Sequence, residues 1–201
     1  MFLHLGFGLV LSIIGTLPLG IINLTVAERT IHKGLAAGLW IAFGATLVEM
    51  VQILIAVKFA YLFTNNPVVN QWLQILAIPV FFGLALYFLL QKERSEFKSE
   101  EQQLPDFAKG MAISVLNLLA IPYWLFYGSY LHAEGHLGNN LDFLGLCIGA
   151  FIGTMLVLWL YGKMGLMVLE KMQMVAKVTN RLLAALLFLF GLIQLLRVVM
   201  G

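Results

Sequence analysis

The sequence predicts an all-α, polytopic integral membrane protein with six transmembrane helices arranged as two inverted three-helix repeats. Three observations support this fold class. Of the 201 residues, 61% are hydrophobic and 11% are charged, whereas a soluble domain averages about 25% charged residues. Apolar runs long enough to cross a bilayer recur along the chain. One polar segment divides these runs into three and three.

Each predicted span is an apolar run of roughly 20 residues, the length that crosses the hydrocarbon core of a membrane. The first run lacks a basic n-region and a small-residue cleavage site, and it is longer than the roughly 7–15 residues of a signal-peptide core. It is therefore expected to remain as the first span. The six runs are Leu3 to Thr25, Leu35 to Phe59, Val69 to Leu90, Ala108 to Tyr130, Phe143 to Gly165 and Val178 to Val199.

The basic residues predict the orientation of these spans, because Lys and Arg resist translocation and collect on the cytoplasmic side. With six spans, ten Lys and Arg residues fall on one side of the membrane, and two, Lys58 and Arg197, fall on the other. Both termini are therefore expected to be extracytoplasmic, with the first, third and fifth connections in the cytoplasm.

The polar segment from Gln91 to Pro105 is rich in Lys and Glu and is expected to be a flexible cytoplasmic connection. The predicted organisation is a first three-helix repeat at residues 1–90, a linker at 91–107 and a second repeat at 108–201. An odd number of spans in each half makes the second half enter the membrane in the opposite sense, which is the geometry of an inverted repeat.

Each half opens with a helix that contains a proline and an asparagine five residues apart, Pro18 with Asn23 and Asn117 with Pro122. Proline removes a backbone donor and clashes with the preceding turn, so it frees polar groups that must find partners inside the membrane. Broken helices at corresponding places in two halves indicate a substrate site near the midplane. Two unrelated proline kinks are the alternative, since proline is common in membrane helices.

Small residues recur every four positions along three spans, and such stripes allow helix backbones to approach closely. Packing explains them, and Gly20 is also expected to let a substrate approach exposed backbone beside Pro18. The stripe of the fifth span serves either a homodimer or a contact within the chain. The stripes are Gly8, Ser12, Thr16 and Gly20; Gly34, Gly38, Ala42 and Thr46; and Gly145, Gly149 and Gly153.

Glu49 is the leading candidate for a functional side chain. It lies fourteen residues beyond Leu35, well inside the second span, where a carboxylate costs at least ~2 kcal/mol. Burial favours the neutral form of a carboxyl group, so Glu49 is a candidate to bind and release a proton. The alternative is a structural carboxyl that stays protonated and hydrogen-bonded. Gln52 shares its helical face.

Further polar side chains accompany the broken helices. Asn23 and Asn117 each offer donors and an acceptor, which serve either to hold a substrate carboxylate or to cap the ends of the half-helices. Ser114 precedes Asn117 by three residues and shares its face. Thr16 or Ser12 is expected to line the first helix in the same way.

Other functional classes have little support in the sequence. A single cysteine, Cys147, excludes a disulfide or a two-thiol relay within the chain. The basic residues are spread over three loops among glutamates, so no nucleic-acid partner is expected. The run His132, Glu134 and His136 is a weak metal pattern, and no metal or cofactor is expected. The sequence has no nucleophile with a base, no phosphate loop and no paired catalytic carboxylates, so no enzyme is expected.

Motifs in both halves, among them Pro18-Leu-Gly20-Ile-Ile-Asn23, Glu49 and Ala120-Ile-Pro122-Tyr-Trp124, resemble those of the LysE-type amino-acid exporters. The family's Pro-Gly-Pro-Asn-Asn element is altered here to Pro18-Leu-Gly20-Ile-Ile-Asn23, and its Asn-Pro pair to Asn117-Leu118. In the first half the resemblance rests on this element with Glu28-Arg29, Lys33-Gly34, Ala37-Gly38, Gly44 and Glu49. In the second half it rests on Phe107, Gly110, Leu116-Asn117 and Ala120-Ile-Pro122-Tyr-Trp124.

The resemblance implies a carrier of the bacterial inner membrane that exports amino acids or similar small metabolites in exchange for protons. It also implies that Gly20, Asn23, Glu49 and Asn117 line the central path. The expected partners are a small-molecule substrate, protons and the lipid bilayer. A different class stays open, namely a non-transporting membrane scaffold or assembly factor whose broken helices fit a partner subunit. The sequence does not determine the substrate.

Overall fold

The computed structural model describes residues 2–18, 20–64, 67–90, 104–117, 119–133, 136–137, 139–165, 167 and 172–200. Throughout these ranges the regular elements are helices, and the predicted all-helical fold class is confirmed. Most of the predicted linker, residues 91–103, lies outside the described residues. The helices are α1 (Phe2–Thr16), α2 (Ile21–Lys33), α3 (Leu35–Thr64), α4 (Pro67–Leu90), α5 (Asp106–Val115), α6 (Ala120–Ala133), α7 (Asn140–Lys163) and α8 (Met172–Met200).

Two stretches of helix are long and apolar enough to cross a membrane, Leu35–Ala60 in α3 and Asn140–Lys163. Two helix pairs qualify when each pair counts as one bent span: α1 with α2, bent by 79°, and α5 with α6, bent by 66°. The described residues therefore contain two to four candidate spans. Shorter apolar segments occur in α4 and α8. A multi-pass membrane protein follows from this pattern, and the count of six spans stays a prediction.

Both halves begin with a helix that is interrupted by four residues. In the first half, α1 ends at Thr16 and α2 begins at Ile21, so Pro18 lies in the interruption as predicted. In the second half the interruption precedes the proline, because α6 already begins at Ala120. Pro122 lies in the first turn of α6, where a missing N–H breaks no helical hydrogen bond.

The glycines of α1 and α7 lie where these two helices touch. A Cβ atom at Gly8 would overlap the backbone of Leu146 and Ala150, and one at Gly149 would overlap the carbonyl of Leu5. Glycine is required at both positions because a neighbouring backbone, rather than a movable side chain, fills the space. At Gly149 and Gly153 the stripe of the fifth span therefore serves a contact within the chain, and a homodimer stays a prediction.

The helices α3 and α5 approach each other in the same way. A Cβ atom at Gly44 would overlap the carbonyl of Phe107, and one at Gly110 would overlap the carbonyl of Ile41. In both pairs the opening half-helix of one half of the chain packs against the long helix of the other half. Small residues allow this approach, since lipid provides no hydrophobic drive for helices to associate.

The helices divide into two compact units. The first contains α1, α2, nearly all of α3, α5, α6 and α7, and the second contains α4 and nearly all of α8. Trp124, Ile53 and Leu146 are central to the core of the first unit. In the second unit the rings of Phe82 and Phe188 pack edge to face at 5.3 Å. The candidate functional residues all lie in the first unit.

Candidate functional site

Glu49 lies in the middle of α3 and is hydrogen-bonded through both carboxyl oxygens. Trp124 Nε1 donates to Oε1 at 3.2 Å, and Oε2 shares a hydrogen bond of 2.6 Å with Thr154 Oγ1. Trp124 belongs to α6 and Thr154 to α7. The carboxyl group of the first half is therefore held by two helices of the second half, and it is directed at protein groups rather than at lipid.

Thr154 connects this carboxyl group to α1. Its Oγ1 lies 2.5 Å from Ser12 Oγ and 3.4 Å from Thr16 Oγ1. Ser12 Oγ also donates to the carbonyl of Ala150 at 2.9 Å. Ser12 is 1% exposed and Thr154 is 4% exposed. We call Glu49, Trp124, Thr154, Ser12 and Thr16 the Glu49 cluster.

The glycine contacts explain how such short side chains reach each other. Ser12 follows Gly8 by one helical turn on α1, and Thr154 adjoins Gly153 on α7. Because Gly8 and Gly153 each face backbone of the opposite helix, the helix axes are close enough for two hydroxyl groups to meet. The small-residue stripes thus build the polar centre as well as the packing.

The first break is capped by side chains. The chain leaves the helix after Thr16, so carbonyl groups at the end of α1 lack helical partners. Asn23 Nδ2 donates to the carbonyls of Thr16 at 2.7 Å and Pro18 at 3.0 Å, and Tyr161 Oη donates to the carbonyl of Leu17 at 2.6 Å. Asn23 is 4% exposed. The observed contacts of Asn23 are therefore those of a residue that caps the end of a helix.

Gly20 precedes the first residue of α2, with an extended backbone and no side-chain cap. It is exposed, and no atom of the described residues lies within 4 Å of the position that a Cβ would occupy. Space is therefore open beside the N-terminus of α2, where backbone N–H groups have no helical acceptor.

The second break is tied to α3. Gln52 Nε2 donates to the carbonyl of Ser114 at 3.1 Å, and Ser114 Oγ donates to the carbonyl of Ala45 at 3.0 Å. The backbone N–H of Asn117 also donates to the Ser114 carbonyl at 3.0 Å. The Asn117 side chain is exposed, whereas Gln52 is buried and its Oε1 has no hydrogen-bond partner among the described residues.

Among the described residues of the first unit, two pairs of polar side chains lie near helix ends. His4 Nδ1 lies 3.0 Å from Asp142 Oδ1, at the starts of α1 and α7. Arg29 on α2 contacts Asp106 at the start of α5, with Nε and Nη2 lying 2.6 Å and 2.5 Å from the same carboxyl oxygen. Each pair joins one half of the chain to the other.

Sequence reasoning missed several of these contacts. Thr154 and Tyr161 were not recognised as partners of Glu49 and of the first break, and Tyr123, which donates to the Leu11 carbonyl at 2.6 Å, was not singled out. The sequence does contain a signal for Thr154, because this threonine follows the last glycine of the stripe in the fifth span and therefore lies beside the helix contact. The residues described contain no group of three metal-ligating side chains, and Glu134 lies outside them.

Fold and site together define a multi-pass helical membrane protein with a polar centre between two interrupted helices. A family model described as LysE type translocator matches residues 13–197, which is most of the chain. The chain therefore belongs to the LysE type translocator family, and the resemblance seen in its motifs is confirmed. The family consists of transporters rather than enzymes. Searches of curated proteins and of solved structures each found no match.

Proposed function

We propose that this protein is a secondary transporter of the bacterial inner membrane that exports amino acids or similar small metabolites in exchange for protons. The observation that carries the proposal is the placement of Glu49, a carboxyl group inside a candidate span of a translocator, held by hydrogen bonds from the other half of the chain. Ionisable groups at membrane depth are costly and mark ion or substrate pathways.

Coupling requires that the proton affinity of Glu49 differ between two conformations. Its hydrogen-bond partners, Trp124 and Thr154, belong to α6 and α7, whereas Glu49 belongs to α3. A movement of one half against the other would lengthen these bonds and change the environment of the carboxyl group. The carboxyl group is thus suited to take up a proton in one conformation and release it in another.

The inverted-repeat arrangement is supported by two equivalent hydrogen bonds. Ser12 on α1 donates to the carbonyl of Ala150 on α7 at 2.9 Å, and Ser114 on α5 donates to the carbonyl of Ala45 on α3 at 3.0 Å. Each serine follows the glycine that touches the same partner helix by four residues. Reciprocal contacts of this kind are expected from two repeats related by a pseudo-two-fold axis.

In the same correspondence Glu49 and Thr154 occupy matching positions. Glu49 follows Ala45 by four residues, and Thr154 follows Ala150 by four residues. These two side chains hydrogen-bond to each other. The proposed axis therefore passes near the Glu49 cluster, which is where substrate sites lie in transporters built from inverted repeats.

The orientation proposed from the basic residues assigns a side of the membrane to each of these two pairs. With extracytoplasmic termini and six spans, the starts of α1 and α7 lie on the outer side, and the end of α2 and the start of α5 lie on the cytoplasmic side. His4 and Asp142 are then an outer pair, and Arg29 and Asp106 are an inner pair.

The substrate path is proposed to run past both breaks. The open space at Gly20 and the N-terminus of α2 suit a carboxylate, because unpaired N–H groups and the helix dipole favour negative charge. The unpartnered Oε1 of Gln52 is an acceptor suited to an ammonium group. The residues proposed to line this path are Thr16, Pro18, Gly20, Asn23, Glu49, Gln52, Ser114, Asn117 and Pro122.

A thermal-shift screen of the purified protein against amino acids and related metabolites, across pH, tests the proposal. A transported solute should raise the melting temperature through mass action, and proteoliposomes loaded with that solute should then export it when a pH gradient is imposed. Collapse of the gradient with a protonophore is the control. Absence of any solute-dependent shift, together with co-purification of a larger membrane complex, would favour the scaffold alternative instead.

A further inference from the structure

Three oxygen-to-oxygen contacts run in series through the Glu49 cluster. Glu49 Oε2 lies 2.6 Å from Thr154 Oγ1, Thr154 Oγ1 lies 2.5 Å from Ser12 Oγ, and Ser12 Oγ lies 2.9 Å from the carbonyl oxygen of Ala150. All three distances are within the range of O–H···O hydrogen bonds. Each contact therefore requires one proton between its two oxygens.

The two hydroxyl groups cannot supply three protons. Each hydroxyl carries one, and the Ala150 carbonyl carries none. Thr16 Oγ1 lies 3.4 Å from Thr154 Oγ1, beyond the usual O–H···O range, and it takes no part in the series. The third proton has to belong to the carboxyl group of Glu49. Without it, two acceptor oxygens would face each other inside the protein at one of the three contacts.

We infer that this conformation holds Glu49 in its protonated form, and that Ser12 and Thr154 are positioning residues that select that form. The carboxyl O–H donates to Thr154, Thr154 donates to Ser12, and Ser12 donates to the Ala150 carbonyl. Trp124 Nε1 donates to the other carboxyl oxygen, which carries no proton. The inference rests on the proposed proton exchange at Glu49, and it identifies the proton-loaded state.

Among the described side chains of the surrounding helices, no opposite charge pairs with Glu49. Three titratable side chains of neutral types lie in the same region, namely Tyr123 and Tyr127 on α6 and Cys147 on α7. Among the described residues, no Lys, Arg or His forms an ion pair with Glu49. The other described titratable side chains of α1, α3, α6 and α7 lie toward helix ends: His4, Lys58, Tyr130, Asp142, Tyr161 and Lys163.

Infrared spectroscopy of the protein in lipid nanodiscs tests the inference, because a protonated carboxyl group has a C=O stretch distinct from the bands of a carboxylate. The wild-type protein should show such a band at neutral pH that is missing in Glu49→Gln. In Ser12→Ala the contact between Thr154 and Ser12 is gone, so Thr154 can donate its hydroxyl proton to an ionised Glu49 without leaving two acceptor oxygens facing each other. The ionised form of Glu49 is therefore more favourable in this variant than in the wild-type protein. The proton affinity of Glu49 should then fall roughly threefold to tenfold, the equivalent of one net hydrogen bond.

Thr25→Ala is the control, because it deletes another hydroxyl-to-carbonyl bond of a buried residue without touching the series or the proposed path. The pH dependence of the Glu49 band should stay at its wild-type value in that variant. A carboxylate at neutral pH in the wild-type protein, or equal shifts in Ser12→Ala and Thr25→Ala, would overturn the inference.

Transport assays separate this inference from the proposed function. If Glu49→Gln abolishes pH-driven export while the wild-type band is that of a carboxylate, the inference fails and the proposed function stands. If the protonated band is present but Glu49→Gln exports normally, the proposed proton exchange fails, and with it the role of Ser12 and Thr154 in coupling.

Discussion

Replacement of Gly8 by alanine tests the helix contact on which the polar centre depends. A Cβ atom at Gly8 would overlap the carbonyl of Leu146 and the amide of Ala150. Both are backbone groups of α7, so no rotamer change relieves the overlap and the two helices have to separate. The separation would also lengthen the contact between Ser12 and Thr154.

The chain offers a matched control two residues away. Gly6 lies on the same helix, and within the part of the chain that the structure describes no atom lies within 4 Å of its hypothetical Cβ. Overpacking costs about 1–3 kcal/mol, whereas alanine is favoured over glycine in a helix by roughly 0.5–1 kcal/mol. The gain in helix propensity applies to both variants, so the free energies of unfolding of Gly8→Ala and Gly6→Ala should differ by the overpacking cost alone, roughly 1–3 kcal/mol, with Gly8→Ala the less stable variant.

Thermal unfolding in a mild detergent, followed by tryptophan fluorescence, measures this difference. For a chain of this size a destabilisation of 1 kcal/mol lowers the melting temperature by about 2–4 °C. Gly8→Ala should melt several degrees below the wild-type protein, and Gly6→Ala at or above it. Equal melting temperatures for the two variants would refute the close contact between α1 and α7.

Three further predictions concern the free energy of unfolding measured in the same assay. Asn23→Ala should lower the free energy of unfolding by about 1–3 kcal/mol, because two carbonyls at the first break lose their donor. Asn23→Asp should be no more stable than Asn23→Ala, because a carboxylate cannot donate. An Asp variant as stable as the wild-type protein would contradict the capping role. Tyr161→Phe should lower the free energy of unfolding by less than about 1 kcal/mol, because its hydrogen bond to the Leu17 carbonyl is exposed. A loss as large as that of Asn23→Ala would contradict the expectation that the buried cap contributes more. A double-mutant cycle of Arg29→Gln and Asp106→Asn should give a coupling free energy of about 1 kcal/mol. The coupling should decrease at high salt, because the two side chains are 24% and 19% exposed and salt screens them. A coupling that does not change with salt would contradict this expectation.

Two features of the fold could be predicted from the sequence, because composition and residue spacing determine them locally. The apolar excess predicts the membrane, and the interruption at Pro18 follows from the covalent chemistry of proline, which acts within one turn of its own position. The second interruption was harder to place, because Pro122 is tolerated in the first turn of α6 and the helix ends several residues earlier, at Val115.

Contacts between helices depend on information that lies outside any one segment. A threonine such as Thr154 has the same appearance in the sequence whether it packs or binds a carboxyl group. Asn23 was equally ambiguous, since an amide caps a helix end or holds a solute with the same atoms, and its two bonds to carbonyls of the first break decide its observed role. The small-residue stripes are the sequence feature that indicates which helix faces pack together, and therefore which polar side chains come into contact.

The most direct test of the proposed transport mechanism is the rate of pH-driven solute export by Glu49→Gln in proteoliposomes, beside its solute-induced thermal shift. The amide introduced by this substitution keeps an acceptor for Trp124 and a donor for Thr154 but cannot exchange a proton. We expect the thermal shift to persist and export under an imposed pH gradient to be abolished. Export at the wild-type rate under the same gradient would contradict the role of Glu49 as the proton-binding group.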